Sequence, residues 1–153
     1  MRKPVAIVVA GLVAGALDIL AAFASYAAQG ATVEGILKYI ASGLLGASAL
    51  QGGVAMAGLG LLFHFCLTTA MAAAYMAAAL RVRALTTSPW LWGSVYGLLT
   101  WVVMVYVVVP LSAVNGWQLP HGWNIVSGLL SHIFYVGVPI AHITRHALRP
   151  QAA

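Results

Sequence analysis

Three ionisable side chains lie inside long apolar stretches of this chain: Asp18, His64 and His132. A charge at the centre of a lipid bilayer costs about 2.5 kcal/mol or more, so ionisable residues in such stretches are functional candidates. A carboxyl group can hold a proton or a small cation, and imidazole titrates near neutral pH. We therefore predict a proton or ion site formed by these three residues.

Each of the three residues follows a glycine by three or four positions, and so shares a helix face with that glycine. Glycine lets helices approach closely in lipid, so these faces are predicted to point into a helix bundle. The glycines predicted to pack helices are Gly11, Gly15, Gly60, Gly93 and Gly97.

The three residues are also predicted to lie at a similar depth. From a rise of 1.5 Å per residue, Asp18 lies about 9 Å below one boundary of a ~30 Å hydrocarbon core. By the same rise, His64 lies about 16 Å and His132 about 13 Å from the start of the apolar stretch that contains it. We therefore predict that Asp18 lies within reach of one of the histidines, directly or through one water molecule.

Other chemistry for these residues stays open. Asp18 can be a hydrogen-bonded structural carboxyl, and the histidines can ligate a haem or, with Asp18, a zinc ion. The sequence contains no Gly-rich phosphate loop, HExxH, CxxC or GxSxG motif and only two acidic residues. We therefore predict no catalytic residue and no cofactor. Cys66 has no partner in the sequence and is predicted to be a buried thiol.

The composition predicts the elements that position these residues. Hydrophobic residues make up 63% of the chain and charged residues 6%, far from the balance of soluble domains. Four apolar stretches, at about 4–28, 53–80, 89–110 and 123–147, exceed the ~20 residues needed to span a bilayer. We predict one all-α integral membrane domain over 1–153, a four-transmembrane-helix bundle. A secretory leader is the alternative for the first stretch, but its length and Asp18 favour a retained helix.

The basic residues predict the orientation. Three pairs of basic residues flank the apolar stretches at positions that would all face one side of the membrane. Lys38 alone would face the other side. The positive-inside rule then places both termini in the cytoplasm of a bacterial inner membrane. There is no basic stripe or recognition motif, so nucleic acid is not predicted as a partner. The predicted partners are lipid and, through the glycine faces, a second copy or another membrane protein.

The segment at about 31–50 is too polar for a span. Thr32 can cap a helix over Val33–Leu45, and Glu34 and Lys38 are four residues apart in the favourable order. We predict a short interfacial or re-entrant helix that gates the site. Its gating residues are predicted to be Glu34, Tyr39, Gly43 and Gly46, with the two glycines allowing a bend.

Five short sequences carry a family resemblance: GALDI at 15–19, YIASGLLG at 39–46, LLFHF at 61–65, VVVPLS at 107–112, and GVPIA at 137–141 together with His132. Over nearly its whole length the chain resembles the bacterial inner-membrane proteins grouped with YagU. The resemblance implies a multi-helix inner-membrane protein and supplies no activity. It also implies that Asp18, the Gly-rich outer segment, His64 and His132 belong together as the family's polar positions.

Three functional hypotheses follow. The leading one is a membrane protein that moves or senses protons or a small solute through Asp18, His64 and His132. The second is a structural or assembly subunit that packs through its glycine faces. The third is a haem- or metal-binding membrane protein.

Overall fold

The computed structural model describes residues 1–149, which form helices and connecting turns without a strand. The helices are α1 (Lys3–Ala27), α2 (Val33–Leu45), α3 (Ser48–Gln51), α4 (Val54–Arg81), α5 (Pro89–Leu111) and α6 (Trp123–Leu148), with a 3-10 turn at Arg83–Thr86. Of these, α1, α4, α5 and α6 are long and apolar enough to cross a membrane. The predicted all-α class and the four long helices are confirmed.

Local residue chemistry explains most helix ends. Proline lies in the first turn of α1 and of α5, where its missing N–H group costs nothing. The Thr32 hydroxyl accepts a 3.0 Å hydrogen bond from the Gly35 amide and caps α2 as predicted. Gly46, at φ +70°, ends α2 in a conformation that other residues rarely adopt. Gly43, by contrast, lies inside α2, so the bend predicted at both glycines occurs at Gly46 alone.

The helices α5 and α6 each contain a π-helical segment that the sequence analysis missed. The segments are Met104–Val108 and His132–Gly137, and each ends two residues before a proline, Pro110 or Pro139. A proline ring cannot donate to the carbonyl four residues earlier and clashes with it, so the backbone widens there. The segment in α6 begins at His132, and such widened turns are frequent at functional sites.

Antiparallel neighbours build the bundle. Helix α1 packs between α4 and α6, and α6 packs between α1 and α5. Close approach depends on glycine: Gly11 lies against Thr69, and Gly15 against Phe65 and Thr68. Gly93 and Gly97 likewise lie against the α6 backbone at 137–138 and 132–133. This order brings α1 and α6 into direct contact along the face that carries Asp18.

The up-and-down order gives the bundle two distinct ends. The first, here called the basic end, carries Arg2, Lys3, Arg81, Arg83, Arg145 and Arg149. The best-packed apolar core lies in the half of the bundle toward this end, and consists of Ala10, Ala14, Ala72, Tyr75, Ala79, Val136, Ile140 and Ala141. The opposite end carries α2 and is here called the α2 end. Helix α2 packs on α4 and is joined to the segment after α5 by a 2.9 Å hydrogen bond from the Ala113 amide to the Gly43 carbonyl.

Large apolar side chains cover the outside of the bundle. Leu111 is 82% exposed, Val54 77% and Leu20 61%, and many valines and leucines of the long helices are similarly open. Contiguous apolar surface of this kind is rare on soluble monomers, and it is compatible with a multi-pass membrane protein. Cys66 also lies on this surface, so the prediction of a buried thiol was wrong. The sequence could not show which side of α4 faces outward.

Gly60 and Gly58 offer a matched test of how α2 is held. A Cβ at Gly60 would collide with the Leu37 carbonyl of α2, whereas a Cβ at Gly58 would meet nothing within 4 Å. We expect Gly60→Ala to lower the free energy of unfolding by about 1–3 kcal/mol, because α2 must move. Gly58→Ala should leave the free energy of unfolding unchanged or raise it by up to about 1 kcal/mol, because alanine favours the helix more than glycine does. Denaturant titration of both variants in detergent measures the difference, and equal effects would contradict the contact.

Candidate functional site

The structure brings Asp18 together with two neighbouring residues of α6. The Ser131 hydroxyl donates to Asp18 Oδ1 at 2.5 Å, and His132 Nδ1 lies 3.9 Å from the same oxygen. The side chains of Asp18 and His132 are 16% and 18% exposed, and Ser131 is buried. Asp18 is therefore held at the α1–α6 interface, with a hydroxyl as its direct partner and an imidazole at ion-pair distance.

Hydrogen bonding defines the tautomer of His132. Its Nδ1 lies 3.0 Å from the Gly128 carbonyl oxygen, which can only accept, so Nδ1 must carry the hydrogen. In the neutral ring the Nε2 atom then carries the lone pair. At 3.9 Å, Asp18 is too far from Nδ1 for a direct hydrogen bond, but it would attract a protonated imidazole electrostatically.

His64 has a different partner. Its Nε2 lies 2.9 Å from the carbonyl oxygen of Gly15, so Nε2 donates to the α1 backbone three residues before Asp18. The side chain is buried, with the residue 8% exposed. Within residues 1–149 no hydrogen bond or ion pair joins His64 to Asp18. His64 thus contacts the helix that carries the carboxyl, and the predicted group of three residues divides into a close Asp18–His132 pair and a separate histidine.

A small cavity adjoins Asp18 between α1 and α6. Its volume is about 40 Å³, and its lining residues are Ala21, Ala22, Ser25, Tyr26, Ser127, Gly128 and Ser131. A polar cavity of at least about 10–15 Å³ can hold a water molecule. The Ser25 hydroxyl oxygen is buried and has no hydrogen-bond partner in the described part of the chain. Three serines line the cavity among alanine, glycine and tyrosine residues, and its volume is sufficient for one water molecule.

Polar residues continue from this cavity to the α2 end. Ser25 follows Asp18 by seven residues on the same face of α1, and Gln29 lies in the turn directly after the helix. At the outer end of this line, Gln29 Nε2 donates to Asn124 Oδ1 at 2.9 Å. Towards the basic end the interface is apolar, with Ala14 and Val136 fully buried. The site therefore has a polar side, toward the α2 end, and an apolar side.

The predicted gating residues lie on α2, apart from the Asp18–His132 pair. Glu34 and Lys38 form an ion pair of 2.6 Å, in which the Glu34 side chain is 49% exposed. Partial burial raises the pKa of Tyr39 above its ordinary value, and the nearby Tyr26 phenol adds to this, so Tyr39 stays neutral. Tyr26 also lines the cavity, so Tyr39 is the residue of α2 that lies near its wall, and gating by α2 stays a prediction.

The described residues do not assemble a metal site with three or more ligands. His64 and His132 each place one ring nitrogen against a backbone carbonyl, and the other ring nitrogen keeps a lone pair. No group of three or more His, Cys, Asp or Glu residues converges within 1–149. The cavity beside Asp18, at about 40 Å³, is far smaller than the several hundred Å³ of typical small-molecule sites.

No family model, curated protein or solved structure matches this chain. The resemblance to the YagU group therefore stays a prediction.

Sequence reasoning missed Ser131, Ser25 and Gly137. Ser25 lies seven residues after Asp18, a spacing that marks the same helix face, and Ser127 and Ser131 are four apart on α6. A search for polar residues at helical spacing from Asp18 would have found Ser25. Gly137 lies against Gly93 and Gly97 and completes the α5–α6 contact. Gly137 lies five residues after His132, outside the spacings of three and four from which the other packing glycines were predicted.

Proposed function

We propose that this chain is a multi-pass membrane protein that takes up a proton or a small cation at Asp18 from the α2 end, and so moves or senses that ion. One observation carries the proposal: Asp18 accepts a hydrogen bond from Ser131, and Ser131 also lines a small cavity together with Ser25 and Ser127. A carboxyl with such neighbours can change its protonation or ion occupancy without a large rearrangement.

The proposed setting is a bacterial inner membrane, with the basic end in the cytoplasm. Support comes from the four long apolar helices, their exposed apolar surface and the grouping of all basic residues except Lys38 at one end. Helix α2 crosses α4 at Gly60, six residues after α4 begins, hence about 9 Å below its first residue. We infer that α2 dips into the outer face of the membrane, as an interfacial or re-entrant helix.

Within this setting the residues have separable roles. Ionised Asp18 is the acceptor, and Ser131 stabilises it by donating a hydrogen bond. His132, through its free Nε2, can carry a positive charge near the carboxyl and lower the cost of an ionised state. Water in the cavity would connect Asp18 to the polar line that ends at Gln29 and Asn124. The apolar core separates the site from the basic end, so transfer of the ion across the membrane requires the helices to move there.

The assembly-subunit hypothesis loses its sequence basis. All five glycines predicted to pack helices lie against other helices of this same chain. A second copy or another membrane protein would therefore have to bind elsewhere, on the exposed apolar surface. That surface is accounted for by lipid.

The test is ion uptake by the full chain in lipid vesicles. Vesicles with an internal pH dye receive an external acid pulse, with potassium and valinomycin compensating charge, and parallel vesicles receive a sodium gradient. We expect protons or the small cation to enter faster than into protein-free vesicles. If the protein senses the ion without moving it, infrared difference spectra should still show one carboxyl group changing state.

A negative result has a clear form. Flux equal to that of protein-free vesicles, together with no carboxyl change in the infrared spectra, would refute the proposal. The same preparation must bind lipid and unfold cooperatively, so that a denatured sample is not mistaken for an inactive one.

A further inference from the structure

A second, larger pocket lies at the basic end of the bundle, far from Asp18 along the helix axes. It has a volume of about 440 Å³ and is formed where the last turns of α6 meet the start of α5. Three basic side chains of α6 line it, His142, Arg145 and His146, together with Arg149 immediately after the helix. The spacing of three and four places the first three on one helix face. The pocket therefore concentrates positive charge from a single helix end.

No acidic side chain of the chain can neutralise this cluster. The only acidic residues are Asp18, held by Ser131 at the α1–α6 interface, and Glu34, paired with Lys38 on α2. Neither Arg145 nor Arg149 forms a salt bridge within residues 1–149. Converging arginines without a carboxylate partner repel each other and favour an external anion.

The facing wall supplies a hydroxyl donor at Ser88, which lines the pocket just before α5. Ser88 is the N-cap residue, but its side chain makes no capping hydrogen bond, so the first-turn amide groups of α5 have no side-chain partner. The Thr87 hydroxyl lines the pocket too, but it already donates to the Ala84 carbonyl at 2.7 Å. Arginine forks with nearby hydroxyls are the usual setting for phosphate oxygens.

The mouth of the pocket suits a lipid better than a soluble anion. Trp90 lines the pocket, is 63% exposed, and packs edge-on against His142 with ring centroids 5.1 Å apart. Tryptophan favours the headgroup layer of a membrane. The neighbouring Leu91 is also exposed and belongs to a helix proposed to cross the membrane. An occupant would thus place its phosphate among the arginines and its acyl chains along α5.

We propose that this pocket binds the phosphate group of an anionic phospholipid at the cytoplasmic face. The proposal depends on the membrane setting given above and is independent of the Asp18 site. Basic pockets at the cytoplasmic ends of membrane helices are suited to this chemistry, because they meet the anionic leaflet.

Two double variants separate a built site from diffuse charge. Arg145→Gln with Arg149→Gln removes two charges from the pocket, and Arg81→Gln with Arg83→Gln removes two charges from the same end outside it. Native mass spectrometry of the full chain in detergent then counts bound phosphatidylglycerol and phosphatidylcholine. We expect the first variant to bind phosphatidylglycerol roughly tenfold or more weakly, and the second to retain binding. Arg145→Lys should recover only part of the affinity, since lysine lacks the planar fork.

Three outcomes would overturn the proposal. Equal losses in the two double variants would show that only overall charge matters. Equal binding of phosphatidylglycerol and phosphatidylcholine to the unaltered chain would remove the anionic preference. Inorganic phosphate that binds as tightly as the lipid, measured by calorimetry, would point to a soluble ligand. Thermal unfolding of each variant shows whether it is folded, so a loss of binding through misfolding is recognised.

Discussion

Replacing Asp18 by Asn is expected to reduce ion uptake by reconstituted protein to the level of protein-free vesicles. The substitution preserves shape, and the amide oxygen can still accept the hydrogen bond that Ser131 donates at 2.5 Å. What is lost is the group that can hold a proton or the negative charge that can hold a cation. The protein should therefore still fold and insert, and the infrared carboxyl signal should disappear. Loss of folding with unchanged uptake per folded molecule would instead indicate a structural role.

Controls for this variant come from the same chain. Glu34→Gln removes the only other acidic side chain, so an infrared signal that persists in it belongs to Asp18. Ser131→Ala keeps the carboxyl but removes its partner, which costs about 1–3 kcal/mol when the group is buried. We expect Ser131→Ala to take up ions at a rate between that of the unaltered chain and that of Asp18→Asn. Ser127→Ala should reduce the rate of ion uptake less, because the Ser127 hydroxyl makes no hydrogen bond to Asp18 in the structure. Equal effects of the two serine variants would contradict the assigned geometry.

Gly97→Ala is expected to be among the most destabilising single-methyl changes in the bundle. A Cβ at position 97 would lie on the His132 carbonyl and within 2.5 Å of the Ile133 Cα atom. Those atoms are backbone and cannot turn aside, so α5 and α6 must separate along their contact. Overpacking of this kind costs about 1–3 kcal/mol and occasionally more, and we expect about 3 kcal/mol or more here. Denaturant unfolding in detergent measures the loss.

The same variant connects stability to the site. Because Gly97 contacts His132 directly, a shift of α6 would also change the position of His132 relative to Asp18. We therefore expect the folded fraction of Gly97→Ala to take up ions more slowly than the unaltered chain. Gly58→Ala is the control, since its Cβ would point into open space. Comparable destabilisation of Gly58→Ala and Gly97→Ala would show that the loss arises from the helix itself, and would contradict the close α5–α6 contact.

The long helices could be predicted from the sequence because their signals are local. Apolar runs of sufficient length, Pro4 and Pro89 in first turns, and Thr32 as a cap each act within a few residues. The observed ends of α1, α4, α5 and α6 lie within one residue of the predicted ones. The clustering of basic residues at one end follows from the same local signals, once the helices alternate in direction.

Which residues meet Asp18 was decided by tertiary packing alone. Helical spacing places Asp18, His64 and His132 on small-residue faces, but it contains no information about which helix lies beside which. In the structure α6 packs along α1 at Asp18, while α4 meets α1 one turn earlier. His132 and Ser131 are therefore the partners of the carboxyl, and His64 binds the Gly15 carbonyl.

Other features also depended on the tertiary structure. The π-helical start at His132 reflects strain from Pro139 seven residues later, and the outward position of Cys66 reflects the rotation of α4 against its neighbours. The basic pocket forms because the end of α6 meets the start of α5, which are more than fifty residues apart in the chain. Hydropathy and caps thus determined the helices and their ends, because those depend on neighbouring residues. Helix order and rotation determined the site, because they depend on close contacts between glycines and backbone distant in the sequence.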